Sequence, residues 1–222
     1  MFSSDSQAFF TAVGAPIGED EAVDAELQRQ LESKAAVAER ILDFQPRHAY
    51  AMIKACINAR PMFWARTCTP ERGTAAFESF DNAINGTLIA LSGGSEHHLS
   101  EGGKAVRHLP VTMEGLGLRR FSVIRNICWT ASFAIAVPHI QRLDSLKSRA
   151  TTAETLTLLR QTISASLDVN GPQEVEADVM PVSQKQLLQK VDQAVWGELL
   201  TSFQDKPGIQ AWLRSCACVE AV

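Results

Sequence analysis

Apolar positions recur along most of the chain at spacings of three and four, the period of a helix with one buried face. Val23, Leu27, Leu31, Ala35, Ala38 and Leu42 make the first such stripe, which predicts an amphipathic helix over about residues 20–43. Glu19, Asp20, Glu21 and Asp24 crowd its start, where the helix dipole favours negative charge. Gln45–Pro46 closes it and opens a second helix, because proline suits a first helical turn and disfavours helix in the residue before it. Ala49, Met52, Ile53, Cys56 and Ile57 line that helix, which is expected to end near Arg60–Pro61. Thr69–Pro70 reads as the start of a third, carried by Phe77, Phe80, Ile84, Leu88 and Leu91 and stopped by Gly93–Gly94.

Residues 92–117 are rich in turn formers, among them Gly102, Gly103, Pro110, Gly115 and Gly117, and read as a loop or a domain joint. Ser122 is the expected cap of a fourth helix running to Val137. Thr151-x-x-Glu154 and Ser183-x-x-Gln186 each match the capping box, with apolar stripes after them. Pro207 is expected to open a short last helix through Trp212. Only Phe9 to Ile17 reads as extended. The fold class predicted is all-α: a helical bundle up to about residue 92 and a second helical layer beyond the glycine-rich joint.

Composition changes this picture little. Hydrophobic residues make up 45% and charged residues 21%, which is ordinary for a folded domain. The formal net charge of −4 excludes a uniformly basic nucleic-acid coat. Its distribution is more informative. Residues 1–50 hold 4 Lys/Arg against 9 Asp/Glu, residues 51–150 hold 12 against 7, and residues 151–222 hold 5 against 9. A basic middle between acidic flanks is either one positive face or an ordinary solvated surface. Cysteines 56, 68, 128, 216 and 218 are odd in number and irregular in spacing, which predicts reduced thiols and an intracellular protein, cytoplasmic or nuclear. No secretory signal is legible at Met1–Asp5, and Ile127–Val137 is too short to span a bilayer, so no membrane association is expected.

Chemistry-bearing clusters are sparse. Glu96-His97-His98, with His108, is the densest, yet adjacent histidines in an extended loop point apart and no cysteine pair joins them, so no metal is assigned. Cys216-Ala217-Cys218 has the wrong spacing for a redox pair. Gly115-Leu116-Gly117 lacks the later glycine of a dinucleotide loop, and Gly102-Gly103-Lys104 is not a phosphate loop. No catalytic residue and no cofactor follow. Arg119, Arg120 and Arg125 lie at a loop-to-helix junction, a position that suits either phosphate contact or surface ion pairing. Trp64 beside Arg66 is either a base-stacking platform or core.

The segment Leu109-Pro110-Val111-Thr112-Met113-Glu114-Gly115-Leu116-Gly117-Leu118-Arg119 resembles the Leu-Pro…Gly-Gly-Leu-Gly-Leu-Arg stretch that follows the thumb of eukaryotic non-LTR retrotransposon reverse transcriptases. Val13-Gly14-Ala15-Pro16-Ile17-Gly18 looks like the turn where the palm of those enzymes ends. Gln45-Pro46-Arg47-His48-Ala49, Cys56, Arg60, Ala65-Arg66 and Phe80-Asp81 are similar to their thumb helices, and Gln184 to Leu188 and Ala211 to Cys216 to the helices beyond. Glu114 departs from the pattern's first glycine, and Arg120 from a common serine.

The resemblance implies a palm-end segment over 1–18, a thumb-like bundle over 19–92, a joint over 93–121 and a second helical region over 122–222. It also implies weak, sequence-independent binding to the backbone of a template–primer duplex, with Arg60, Arg66, Arg119, Arg120 and Arg125 as contact residues. The paired carboxylates of nucleotide addition are absent, since the single tyrosine, Tyr50, is followed by Ala-Met-Ile, so no polymerase activity is expected. The overall acidity favours the alternative, a helical protein-interaction or assembly module whose partners are other subunits. A small enzyme built on His97 and His98 is the remaining reading.

Overall fold

The computed structural model describes residues 9–94, 106–113, 115–143, 183–206 and 208. Among these the protein is all-α apart from one two-stranded sheet. The chain divides into two compact units: Met1–Ser95 with Phe121–Arg125, and Glu96–Arg120 with Asn126–Val222.

The first unit opens on an antiparallel hairpin, β1 (Phe9–Ala12) and β2 (Ala15–Gly18), in which Phe9 pairs with Gly18 and Ala12 with Ala15. Its two-residue turn, Val13-Gly14, has positive φ at both residues, 51° and 90°, the twist that suits a tight hairpin. Val13 is 97% exposed there, a branched side chain in a backbone region it rarely visits. Helix α1 (Asp20–Arg40) follows and tightens into a 3-10 turn at Ile41–Asp43, so the expected 20–43 helix is present with a changed last turn. Its stripe of Val23, Leu27, Leu31 and Ala38 is buried.

Helix α2 (Pro46–Met52) starts at proline as expected and widens into a π-helical turn over Ile53–Ile57. A separate short helix, α3 (Met62–Thr67), follows Pro61. Helix α4 (Thr74–Leu91) packs most extensively on α1 and buries Phe77, Phe80, Ile84 and Leu88. Thr69–Pro70 is therefore not its start. Gly73 precedes the first turn, and its N–H donates to an Asp24 carboxylate oxygen at 2.8 Å. The arginine before it, Arg72, is ion-paired with Asp20 and lies 3.9 Å from Asp24. The acidic start of α1 thus reaches across to build the start of α4, which outweighs the local signal at Thr69.

Helix α5 (Phe121–Leu143) begins one residue before Ser122, which is not its cap. The cap comes from α4: the backbone N–H groups of Phe121 and Ser122 donate to the two carboxylate oxygens of Asp81, at 3.0 and 2.8 Å. Asp81 is buried, and so are Phe77, Phe80 and Phe121 around it. The Phe121 ring lies 6.3 Å from Phe77 and 6.2 Å from Phe80, within the range of favourable aromatic pairs.

In the second unit, α6 (Gln184–Ser202) carries the expected capping box. Ser183 accepts from the Gln186 N–H at 3.3 Å, and the Gln186 side chain accepts from the Ser183 N–H at 2.9 Å. Leu187, Leu188 and Leu199 are buried from its apolar stripe. The helices expected after Thr151 and Pro207 lie outside the described residues.

Replacing Asp81 by alanine leaves two helix-start N–H groups unanswered inside an aromatic cluster, at a cost of about 3 kcal/mol. Asp81→Asn keeps one acceptor oxygen and costs roughly half as much. Urea midpoints of the three proteins should fall in that order, and equal midpoints would remove the capping role.

Candidate nucleic-acid interface

The five arginines expected to meet phosphate fall in both units and in different environments. In the first unit, Arg60 and Arg66 are exposed at the two ends of the α3 segment. Arg60 makes a long local hydrogen bond of 3.4 Å to the Cys56 carbonyl, and Arg66 is engaged within the fold as well. Between them stands Phe63, 40% exposed, whose ring lies against the Gly14 turn and edge-on to Trp64. Trp64 itself is buried, so the candidate stacking surface is Phe63 and not the tryptophan. Over residues 40–66 the chain holds five basic residues and one acidic, Asp43.

Arg125 has a structural task. Its Nη1 donates to the Arg72 carbonyl at 2.8 Å and its Nη2 to the Thr74 hydroxyl at 2.7 Å, tying the first turns of α5 to the start of α4. Burial lowers its pKa, with Glu78, Glu71 and Asp24 opposing that by their charge.

In the second unit, Arg119 is ion-paired with Asp192 of α6, its Nη1 lying 2.8 and 3.1 Å from the two carboxylate oxygens. Burial raises the Asp192 pKa against the opposing charge and hydrogen bond of Arg119. Arg120 is exposed.

The glycine-rich segment that led to these arginines has a packing logic. Leu109 and Leu118 are fully buried at its two ends. Between them the chain doubles back, with the Gly117 N–H donating to the Leu109 carbonyl at 2.8 Å and the Gly115 N–H to the Pro110 carbonyl at 3.1 Å. A Cβ on Gly115 would stand 2.1 Å from the Leu109 oxygen, an impossible contact, and Gly117 has a φ of +67°. His108 closes the turn: its Nδ1 is 3.1 Å from the Leu118 carbonyl, and since a carbonyl only accepts, that nitrogen carries the proton. Burial is the main cause that lowers the His108 pKa. The Leu118 hydrogen bond raises it, and the nearby charges of Arg120 and Arg107 lower it further.

Arg107 was not singled out by sequence reasoning. It is 8% exposed, and nothing local to Val106-Arg107-His108 marks it for burial. Glu96, His97, His98, Lys104 and the Cys216/Cys218 pair lie outside the described residues. Among the described residues no group of three metal-ligating side chains occurs, no helix is long and apolar enough to cross a membrane, and Cys56, Cys68 and Cys128 are free thiols. No family model, no curated protein and no solved structure matches the chain.

Two outcomes follow from this turn. Gly115→Ala should lower stability by about 2 kcal/mol or more, because its new methyl meets backbone. Gly86→Ala, in an exposed turn of α4 with nothing within 4 Å, should raise it by about 1 kcal/mol. Denaturation of the pair checks the contrast, and a harmless Gly115→Ala would show that the turn tolerates a side chain.

His108 makes stability depend on pH. A depressed histidine pKa means that the unfolded chain takes up the proton first as pH falls. Its contribution is complete above the ordinary histidine value of about 6.5 and is lost as pH falls from there toward the lowered value. His108→Asn keeps an N–H donor and removes the titration, so its melting temperature should fall less between pH 7.5 and 5.5 than the parent's. Parallel loss in both would assign the acid sensitivity elsewhere.

Proposed function

We propose that the chain is a non-catalytic helical region of the reverse-transcriptase thumb kind, which holds a nucleic-acid backbone weakly and without reading sequence. The observation that carries this reading is the α3 segment. Arg60 and Arg66 flank the exposed ring of Phe63 at intervals of three residues, within a stretch of five basic residues and one acidic. Arginines beside an accessible aromatic suit a polynucleotide, whose phosphates take the charge and whose bases take the ring face. The resemblance of residues 109–119 and 13–18 to the reverse-transcriptase pattern supports the same reading. No carboxylate pair for metal-assisted nucleotide addition is legible in the sequence, so the role is gripping and not chemistry.

Arg119 and Arg125 already answer carboxylate, carbonyl and hydroxyl groups, and Arg60, Arg66 and Arg120 are the exposed members of the set. About three phosphate contacts are then expected, which corresponds to a dissociation constant in the micromolar range or weaker at moderate salt. Affinity for an RNA–DNA duplex should fall with rising salt at a log–log slope of about −0.9 for each phosphate neutralised. Arg60→Gln with Arg66→Gln should flatten that slope by about two such steps and leave the circular dichroism spectrum unchanged. Phe63→Ala should weaken single strands more than duplexes. A double variant that binds like the parent would place the contact elsewhere. A parent that fails to bind even at low salt would favour the second reading, a protein-interaction module, for which the exposed Val13, Ile17 and Phe44 are the specific support.

A further inference from the structure

Thr69–Pro70 carries a sequence signal that the fold does not use. It reads as a helix start, yet α4 begins at Thr74, after Gly73. The pair lies instead in a short turn between α3 and α4, flanked by buried Cys68 and buried Gly73. Cys68 is extended, with φ −93° and ψ 139°. The Arg72 N–H donates to the Thr69 carbonyl at 3.0 Å, which closes a β-turn with proline in its second position. Three threonine hydroxyls lie along this stretch. Thr67 donates to the Phe63 carbonyl at 3.0 Å, and Thr74 accepts from Arg125 at 2.7 Å. Thr69 is exposed, and its hydroxyl has no hydrogen-bond partner among the described residues. Its flanks are specific. Thr69-Pro70-Glu71-Arg72 sets proline directly after the hydroxyl and a guanidinium three residues after it, and Arg66 stands three residues before. Of the chain's 9 prolines, Pro70 alone follows a serine or threonine, so a reaction directed by that pair has one site.

We propose that Thr69 is a phosphorylation site for a proline-directed protein kinase. Proline has no N–H and a fixed φ, so a kinase surface that offers no acceptor at that position admits proline and penalises other residues. Carboxylates on the same surface read the guanidinium three residues on. In the reaction the Thr69 hydroxyl oxygen bonds to the γ-phosphorus of ATP and the bond from that phosphorus to the β–γ bridging oxygen breaks. ADP leaves, and the hydroxyl proton passes to the kinase's catalytic carboxylate. One backbone hydrogen bond closes the turn, and opening it leaves the hydrogen bonds within α3 and α4 intact. The Arg72 guanidinium is ion-paired with Asp20, and the kinase takes it over. The product carries a charge of about −2 three residues from Arg66. If α3 grips nucleic acid as proposed above, that charge cancels Arg66 as a contact and weakens the grip; the modification itself does not rest on that reading.

The test incubates the full folded chain with magnesium, ATP and a purified kinase of the cyclin-dependent class, and reads the product by mass spectrometry. One added phosphate, on Thr69, is expected. Thr69→Ser should keep the reaction, Thr69→Ala should abolish it, and Pro70→Ala should slow it at least about tenfold. The proposal is overturned if the folded chain takes up no phosphate or if only the heat-denatured chain does. It is also overturned if Thr69→Ala or Pro70→Ala reacts as the parent does. Binding of an RNA–DNA duplex at low salt is then compared between the modified and unmodified chains. A loss of about tenfold on phosphorylation supports control of the grip, and equal binding overturns that control. A parent that binds no duplex overturns the grip and its control together, and the kinase result alone decides the site.

Discussion

The carboxylate of Asp81 and the first N–H groups of α5 solve each other's problem, and the first unit is arranged around that exchange. A helix start leaves several N–H groups without partners, and a buried carboxylate leaves lone pairs and a charge without water. Placed together, with N–H donors at 3.0 and 2.8 Å and the positive end of the helix dipole behind them, both costs are offset. The exchange also fixes where Phe121 goes. Its ring enters between Phe77 and Phe80, four and one residues before Asp81 on α4, so polar capping and aromatic packing specify the same position. Arg125, one turn further along α5, repeats the logic with opposite sign by donating to the Arg72 carbonyl and the Thr74 hydroxyl at the start of α4.

Helix faces were legible in the sequence because the signal is periodic and local: on α4 Phe77, Phe80, Ile84 and Leu88 are buried, and on α1 the stripe is buried from Val23 to Leu31 and at Ala38, failing at Leu42, which the 3-10 turn leaves exposed while Ile41 is buried. The Ser183–Gln186 capping box was legible for the same reason, since both partners lie within four residues. Helix starts built by distant residues were not. Ser122 satisfied the local rule for a cap, but the acceptor is Asp81, forty residues earlier. Thr69–Pro70 satisfied it too, but α4 starts at Thr74, where Asp24 and Asp20 of α1 hold Gly73 and Arg72. Local capping rules cannot see a side chain that arrives from another helix.

The candidate site was legible in part, and the divide is again between local and distant causes. The Leu109–Arg119 segment stood out by its pattern, and the pattern has a steric basis. Gly115 is pressed against the Leu109 carbonyl, Gly117 adopts a left-handed φ, and both flanking leucines are buried. Those residues make a turn and perform no chemistry themselves. The unusual electrostatics belong to Arg107 and His108 beside it, whose burial no spacing announces.

Charge asymmetry along the chain takes on a different meaning once partners are known. Read as a sequence, acidic flanks beside a basic middle suggest a positive face that the flanks oppose. In each unit, however, flank carboxylates neutralise middle arginines: Asp20 and Asp24 pair with Arg72 in the first, and Asp192 pairs with Arg119 in the second. Part of the asymmetry is therefore internal complementarity that holds helices in place, and it is not available to a ligand. Arginines of identical chemistry end as a clamp in Arg125, an ion pair in Arg119, a buried group in Arg107 and exposed groups in Arg60, Arg66 and Arg120. Counting residues in a window treats all six alike. The Arg119 charge is already answered by Asp192, and a partner with negative charge is recognised by what such internal pairs leave over and not by the sum.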